Sequence, residues 1–582
     1  MNFPNFSEQH IAIDIETKED KPLDKYGPGS HRHYLQGEDS YILGVAISDS
    51  KNDYYFEASE DLFSWLKEQE NNHTWIGHNL LYDLSWLYYE GFRPRKVIDT
   101  RGLVKMLDED RQSYSLDSCA SDYLGFRKNE AEIKAFCEKE GLKGSPQKWL
   151  WKMPPELVGR YAKIDTRLTY DLWKKLTPEI DRQGLTYIWG IECELLPILA
   201  DTHHRGLRVD ETRRLEASEK LGAEIQELKG WLVQKAGSDF NTNSGKQLAP
   251  IFKKLKIPYQ LTEKGNPSFK AENLLPYGVE PDMEYFPHVL VSHNKLQKLK
   301  RDFVDGMTRF IVDGRIHPTI DPYGTVTGRP TAKTPNVFQI PKKGRGKKIC
   351  RVLFLPEEGE EWASSDVASE EYRIFAHYAM GPGSDNYREK YNTISGYDMH
   401  EENANLAGCD RPKAKTIGLG VLFGMGKKKM AINLGLGETQ GAAIVERFHR
   451  TNPSFLHTSR QAQKWSQKHG YMRTLSKRRR RFPNGKGAYK SLNFLTQGNS
   501  ADLAKIIIVE LARRGVLEHI TFLLWLYDEF NFSVKKENRG HLLHLNELIN
   551  TALPLKVKME LGLEFGKNWG EVEKSDWKAL TL

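Results

Sequence analysis

The chain has only five cysteines in 582 residues, and Cys119, Cys137, Cys193, Cys350 and Cys409 form no CxxC pair and no tight cysteine–histidine group. That scatter excludes a thiolate zinc site and a disulfide-stapled fold, and it fits a reducing compartment. Long apolar runs are missing too: nothing approaches the ~20 residues that span a bilayer. The opening MNFPNFSEQH has neither the basic start and apolar stretch of a signal peptide nor the arginine-rich amphipathic character of a transit peptide. These absences lead us to expect a soluble, intracellular protein. No internal repeat and no long low-complexity segment is present. Nor does one sign of charge prevail, since 85 Lys and Arg against 78 Asp and Glu leave a formal +7. Such a modest excess permits a polyanionic partner without demanding one.

What is there is length and alternating pattern. A chain of this size predicts about three to five domains. Residues 1 to 185 alternate strand-like and helix-like segments, as in an α/β domain. Residues 186 to 310 are helical and highly charged (ETRRLEASEKLGAEIQELKGWL), with the turn-rich interruptions FNTNSGK and LTEKGNPSF. Short apolar segments return over 311 to 385, 386 to 486 are helical and basic, and 487 to 582 hold a helix followed by a hairpin. The two mixed segments are expected to form one domain with the helical stretch inserted.

In HIAIDIETKE, Ile11, Ile13 and Ile15 alternate with Ala12, Asp14 and Glu16. A strand of period two turns the isoleucines to a core and projects both acids from the other face. An amphipathic edge strand would look the same. In GHNLLYDLSWLYYEG, Asn79 and Asp83 have the spacing of one helical face, and so do Tyr161 and Asp165 in YAKIDTRLTYDLW. Separately each is an ordinary helix. Together they supply four carboxylates and a phenol, the donor set of a two-metal phosphodiester hydrolase, in which two cations about 4 Å apart need hard oxygen ligands. Residues 8 to 175 resemble the DEDD-type 3′–5′ exonucleases with tyrosine in the third motif, which have a ribonuclease-H-like fold. The resemblance implies Asp14, Glu16, Asp83 and Asp165 as metal ligands and Tyr161 as the residue that orients the attacking water.

A second acidic group is spread more widely. LLWLYDEFNF places Asp528 and Glu529 within the most hydrophobic run of the chain. A strand running through both would bury one charge, at high cost if unpaired. A hairpin tip resolves this, with Ile520 to Leu526 going out, the acids meeting solvent and Phe530 to Val534 returning. EWASSDVASEEYRIFAHYA offers Asp366 after a strand-like run, then Glu371 and Arg373 at the start of a helix ending in His377. Acids favour helix starts anyway. Between these segments, RPKAKTIGLGVLFGMGKKK spaces Arg411, Lys415, Leu419 and Phe423 by four, two cations ahead of two bulky apolar groups. Gly418, Gly420, Gly424 and Gly426 each disfavour a helix by roughly 1 kcal/mol relative to alanine, which predicts a bend or a closely approaching ligand.

These three segments resemble motifs A, B and C of the family A DNA polymerases, in order. GLRVD at 206 to 210, TGRP at 327 to 330, DMH at 398 to 400, GYMRTLSKRRRRFP at 470 to 483, QGNSAD at 497 to 502 and GKNW at 566 to 569 support the likeness. The implied fold is a multidomain α/β and α+β chain. Its exonuclease domain, 1 to 185, precedes a right hand of thumb (186 to 310), palm (311 to 385 and 487 to 582) and fingers (386 to 486). The resemblance makes Asp366 and Asp528 ligands of two magnesium ions, with manganese an alternative, and puts Glu529 beside the primer end. Arg411 and Lys415 would bind the triphosphate, Lys415 donating a proton to the leaving group, while His400, Leu419 and Phe423 complete the nucleotide site. Glu371 would crowd the 2′ position of the sugar. Arg329 and Gln497 would touch the minor groove, and Arg373, Tyr527, Arg478, Arg479 and Arg480 would contact DNA.

The chain departs from the family where Leu419 replaces an aromatic residue, Phe423 a tyrosine, Gly418 a larger residue, Val367 a tyrosine, Ser369 a glutamine and Tyr527 a histidine. An unusual base or sugar preference follows as an expectation. Implied partners are primer–template DNA and deoxynucleoside triphosphates. FNTNSGKQL and Lys295 to Lys300 would contact the DNA backbone, with no membrane and no thioredoxin-type clamp, and we expect a monomer. An exonuclease that begins within the first dozen residues leads us to expect no preceding 5′-nuclease domain, as in a phage replicative enzyme. A single-subunit RNA polymerase shares the three motifs, but Glu371 and the exonuclease set argue against it. A DNA-binding factor with a silenced polymerase site is the other alternative.

Overall fold

The structure is a computed structural model that describes residues 3–18, 40–262, 264–275, 280–434 and 437–581. Its first sheet comprises β1 (His10–Lys18), β2 (Tyr41–Ser48), β3 (Asp53–Glu57), β4 (Thr74–Gly77) and β5 (Val97–Asp99), in the order β3-β2-β1-β4-β5. β1 runs antiparallel to β2 and parallel to β4, so it is the central strand and not an edge. Ile11, Ala12, Ile13 and Ile15 are all buried in consequence. The short helix α1 (Leu81–Leu87) follows β4, and the long helix α2 (Pro155–Arg182) packs across β1, β2 and β3.

Helix α3 (Thr186–Arg205) leads into the charged segment, where α4 (Glu211–Ala236) pairs with α5 (Phe286–Leu299). At 26 residues α4 is about 39 Å long. Asp210 caps it by accepting from the Arg213 N–H, and Gly237, at φ +85°, ends it. Little of it is buried beyond Leu221, Ile225, Leu232 and Ala236, which gives a solvated arm with one narrow apolar stripe.

The second sheet unites distant segments. β6 (Glu361–Asp366) lies between β8 (Glu529–Val534) and β9 (Glu564–Gly566), antiparallel to both, with β7 (Thr521–Leu526) and β10 (Val572–Lys574) outside them. The two mixed segments therefore do build one sheet; α6 (Glu370–Tyr378), which follows β6, packs on α8 (Ser491–Arg513), and α7 (Arg411–Leu422) approaches α6 where Gly418 meets Tyr372. α8 is apolar on most sides, and Leu503, Ile506, Ile507, Ile508 and Leu511 make it the spine of the main core, shared with α3 and the sheet. No helix among the described residues is long and apolar enough to cross a membrane.

The arginine run overturns an expectation. Residues 471–473 and 479–481 form a short antiparallel ribbon, and its basic side chains turn inward. Arg478, buried, donates through Nε to Asp502 at 2.6 Å and pairs with Glu192 of α3, which also accepts from the fully buried Lys505. Arg480 pairs with Glu109 and Asp110, and Arg479 donates to the Gln183 carbonyl at 2.6 Å. Arg479 and Arg480 thus tie the ribbon to the first domain, while Arg478 joins α3 to α8 and is buried away from any phosphate backbone. An isolated charge run carries no sign of acids that lie hundreds of positions earlier.

Candidate active sites

The first site opens at the end of β1. Period two puts Asp14 and Glu16 on one face, and the ladder with β2 shifts register between Glu16 and Thr17, a bulge that re-aims the strand end. Asp83 sits in the first turn of α1 and accepts from the Ile15 N–H at 3.1 Å, tying that helix to β1. Asn79 does not share the helix face with it. At φ +66° it lies before α1 and donates its N–H to Asp99 at 2.8 Å. α2 supplies Tyr161 and Asp165 one turn apart.

One carboxylate oxygen each from Asp14, Glu16 and Asp165 lies within 4.8 Å of the others. Burial, then mutual repulsion, pushes Asp14 and Glu16 well above the usual carboxylate range. Burial also raises Asp83 to about 8 and Asp165 to about 6. Lys128, which no sequence motif singles out, donates to Asp165 at 2.7 Å and to the Tyr161 hydroxyl at 3.2 Å. Burial pushes its ammonium down, but Asp165 and Tyr161 outweigh that and raise it. Four crowded acids against one lysine are a donor set short of positive charge, which hard divalent cations fit.

The second site forms where β6 meets the β7–β8 hairpin. Leu526 pairs with Glu529, leaving Tyr527 and Asp528 as a two-residue tip. Tyr527 takes φ +58°, a conformation costing an aromatic residue on the order of 1 kcal/mol. The Trp525 indole N–H holds the tip by donating to the Tyr527 carbonyl at 2.7 Å. Asp366, the last residue of β6, stands opposite Glu529, and the Val367 N–H donates to the Asp528 carbonyl at 3.0 Å. Burial, then the charge of Asp528, raises Asp366 to about 7. These two acids also make a charge-deficient oxygen donor set.

Only one of the hairpin acids meets solvent. Glu529 is 3% exposed. It accepts from Arg351 at 2.7 and 3.2 Å and from the Trp569 indole at 2.7 Å, and burial's upward push is outweighed by Arg351, so its carboxyl stays below the usual range. With its oxygens taken by protein donors, Glu529 anchors the tip instead of facing a primer end. Lys342, another residue without a sequence signal, places Nζ 3.2 Å from Asp528 and 3.6 Å from Glu529.

A cavity of about 500 Å³ lies between this tip, the start of α6 and one face of α7. Arg329, Asp366, Glu371, His400, Arg411, Lys415, Leu419, Tyr527 and Asp528 line it. Arg329 pairs with Glu371 at 2.8 Å and lies 5.3 Å from the Tyr527 ring centre. Arg411 is held by Asp398 at 2.8 Å. Burial, then the positive charges of Lys343 and Arg411, lowers the Lys415 ammonium. His400, its ring centre 4.4 Å from that of Tyr372, is lowered to about 4 by burial and then by Lys415, so it is neutral near pH 7.

Two expected contacts fall elsewhere. Arg373 is fully buried, bonded to the Ala368 and Lys558 carbonyls and to Glu560, where it braces the loop before α6 and is closed to DNA. Phe423, which closes α7, does not line the cavity. The glycines of α7 admit protein, not ligand: a Cβ on Gly418 would lie 1.6 Å from the Tyr372 hydroxyl, and one on Gly420 2.3 Å from Met430 Cε. Glu370, unremarked in the sequence, is buried beside the cavity, accepts from Ser500 at 2.5 Å and is raised to about 8 by burial and then by Asp528.

Comparison with known proteins agrees with this geometry. The family model for 3′–5′ exonucleases matches residues 4–181, and that for DNA polymerase family A matches residues 211–571. The DNA-directed DNA polymerase of Pseudomonas phage M6 is 28% identical, with 97% of this chain and 94% of that protein covered. DNA polymerase DpoZ of Salmonella phage PMBT28 is 27% identical over 98% of each. Among solved structures, the POL domain of Pol1 from M. smegmatis, in complex with DNA primer-template and dNTP, superposes with a TM-score of 0.76 at 22% identity, covering 96% of this chain and 95% of that one. With the polymerase match spanning more than half of its length, the chain belongs to DNA polymerase family A and carries a 3′–5′ exonuclease region ahead of its polymerase region.

Proposed function

We propose that this chain is a template-directed DNA polymerase that extends a primer 3′ end with deoxynucleotides and removes mispaired ends with its own 3′–5′ exonuclease, as the replicative enzyme of a bacteriophage. The observation that carries this reading is two separate groups of acids: Asp14, Glu16 and Asp165 with oxygens close enough to share a cation, and Asp366 with Asp528 in a cavity that Arg411 and Lys415 also line. Asp14, Glu16, Asp83 and Asp165 would hold the cations of the exonuclease, and Asp366 and Asp528 those of the polymerase. Magnesium, two ions per site with manganese as a substitute, would supply there Lewis-acid activation of the attacking oxygen and charge neutralisation on the phosphate.

The residues do the rest. Arg411 and Lys415, one helical turn apart, grip the triphosphate, and Lys415, whose proton is loosened by burial, delivers it to the departing pyrophosphate. Leu419 gives the base an aliphatic platform. Glu371, steadied by Arg329, closes the space beside the sugar's 2′ carbon and selects deoxynucleotides. Tyr161, one turn before Asp165 on α2, orients the water that attacks the terminal phosphodiester. Residues 1 to 185 act as exonuclease, 186 to 310 as thumb, 386 to 486 as fingers, and 311 to 385 with 487 to 582 as palm. The enzyme works as a monomer on primer–template DNA inside the infected cell, without a thioredoxin-type clamp.

The test is separation of activities. Asp366→Asn or Asp528→Asn abolishes primer extension and spares degradation of single-stranded DNA, whereas Asp14→Ala with Glu16→Ala does the reverse. Retention of the assigned activity by either set refutes its assignment.

A further inference from the structure

Each carboxylate cluster receives a lysine that belongs to none of the motifs. Lys128 enters the first from the segment before residue 131, its side chain 8% exposed, and reaches both Asp165 and Tyr161. Lys342 enters the second from the basic stretch KKGRGKK, its side chain 38% exposed, and reaches Asp528 and Glu529. Neither is an ordinary surface pair. Lys128 also tempers Asp14 and Glu16, and Lys342 also feels Asp366, so each ammonium acts on a whole acid group rather than a single partner. Glu529 is already satisfied by Arg351 and Trp569, which leaves Asp528 as the acid that Lys342 serves.

An ammonium and a divalent cation are drawn to the same oxygens. When both are present they repel, and the mobile one of the two must compete with the tethered one. We propose that Lys128 and Lys342 are tethered competitors for the divalent cations: each neutralises its acids while the enzyme is empty and turns to substrate phosphate when a 3′ end arrives. This rests on the metal-site reading above. It makes cation binding and DNA binding mutually reinforcing, because the phosphate that accepts the displaced ammonium frees the carboxylates.

Binding of Mn²⁺ to the full-length protein, followed by the electron paramagnetic resonance signal of the free ion, tests this without catalysis. The D14A/E16A pair reports the polymerase cluster alone, and the D366N/D528N pair the exonuclease cluster alone. Without DNA, K342M tightens Mn²⁺ binding at the polymerase cluster by about tenfold and leaves the other cluster unchanged, and K128M does the converse. K342R and K128R, which keep the charge, bind Mn²⁺ as the parent does. Added primer–template shrinks each methionine variant's advantage to about twofold or less, since the parent's lysine is then engaged by phosphate. Unchanged or weakened Mn²⁺ binding in both methionine variants overturns the inference, with K342R and K128R guarding against a folding artefact. A parent protein that binds no Mn²⁺ at either cluster overturns the metal-site reading itself.

Discussion

The hairpin tip offers a sharp quantitative test through Arg351→Met. Arg351 and Glu529 are each 5% exposed in their side chains and share two hydrogen bonds, while the guanidinium also lies 4.0 Å from the Trp569 ring centre. Methionine fills most of the volume but leaves Glu529 with the Trp569 N–H and a half-exposed Lys342 as its remaining charged or polar donors of note. Removing one partner of a buried ion pair costs about 3–5 kcal/mol, because the other charge stays desolvated. For a cooperative unit of roughly 200 residues that lowers the melting temperature by about 10 °C. Arg351→Met with Glu529→Met removes the charge together with its partner, and should recover at least about half of the loss. Because Glu529 anchors the strand that begins one residue after Asp528, the single variant loses primer extension while degradation of single-stranded DNA stays within about twofold. A melting shift under about 2 °C, or equal loss of both activities, would refute the role of Glu529 as an anchor.

Further outcomes follow from the neighbouring residues. Gly418→Ala should destabilise by about 1–3 kcal/mol and displace α7, and adding Tyr372→Phe should relieve part of it, since the hydroxyl at 1.6 Å is removed while Cζ at 2.9 Å stays; calorimetry of the single and double variants decides. Burial and then Asp528 hold Glu370 at about 8 in the folded protein, against 4.5 for an ordinary glutamate, so unfolding releases a proton between those values. Stability of the metal-free protein therefore falls as pH rises across that window, by on the order of 3 kcal/mol, and Glu370→Gln flattens the dependence. A parallel pH profile for the variant would contradict this. Leu419→Phe, which restores an aromatic platform in the cavity, should change discrimination among incoming nucleotides in single-nucleotide extension assays. Phe423→Tyr should change it less, because Phe423 lies off the cavity. Identical discrimination in both would remove Leu419 as a selectivity determinant.

The parts of this molecule that are legible in its sequence are those governed by local periodicity. Ile11, Ile13 and Ile15 announce β1 because a strand's period is two, and the one-turn spacing of Tyr161 and Asp165 announces a shared face of α2. The hairpin at Asp528 is legible because no straight strand tolerates two adjacent acids in an apolar run. Non-local pairing is not legible. Nothing near Arg478 foretells Glu192, nothing near Arg373 foretells Glu560, and nothing near Glu529 foretells Arg351. In each case an arginine, a residue type suited to a nucleic acid, pairs instead with an acid from a distant segment. Lys128 and Lys342 escape for the same reason, being lysines in irregular stretches whose meaning lies in which acids they meet.

The inward-facing arginines of the 471–481 ribbon have a mechanical consequence. Charge pairs exposed to solvent loosen as salt rises, but Arg478, Glu192, Lys505 and Asp502 lie beyond the reach of mobile ions. The joint that this quartet makes between α3, α8 and the turn of the ribbon is therefore expected to keep its strength as salt rises, whereas the Arg480–Asp110 pair, which reaches the first domain with Asp110 half exposed, is expected to weaken.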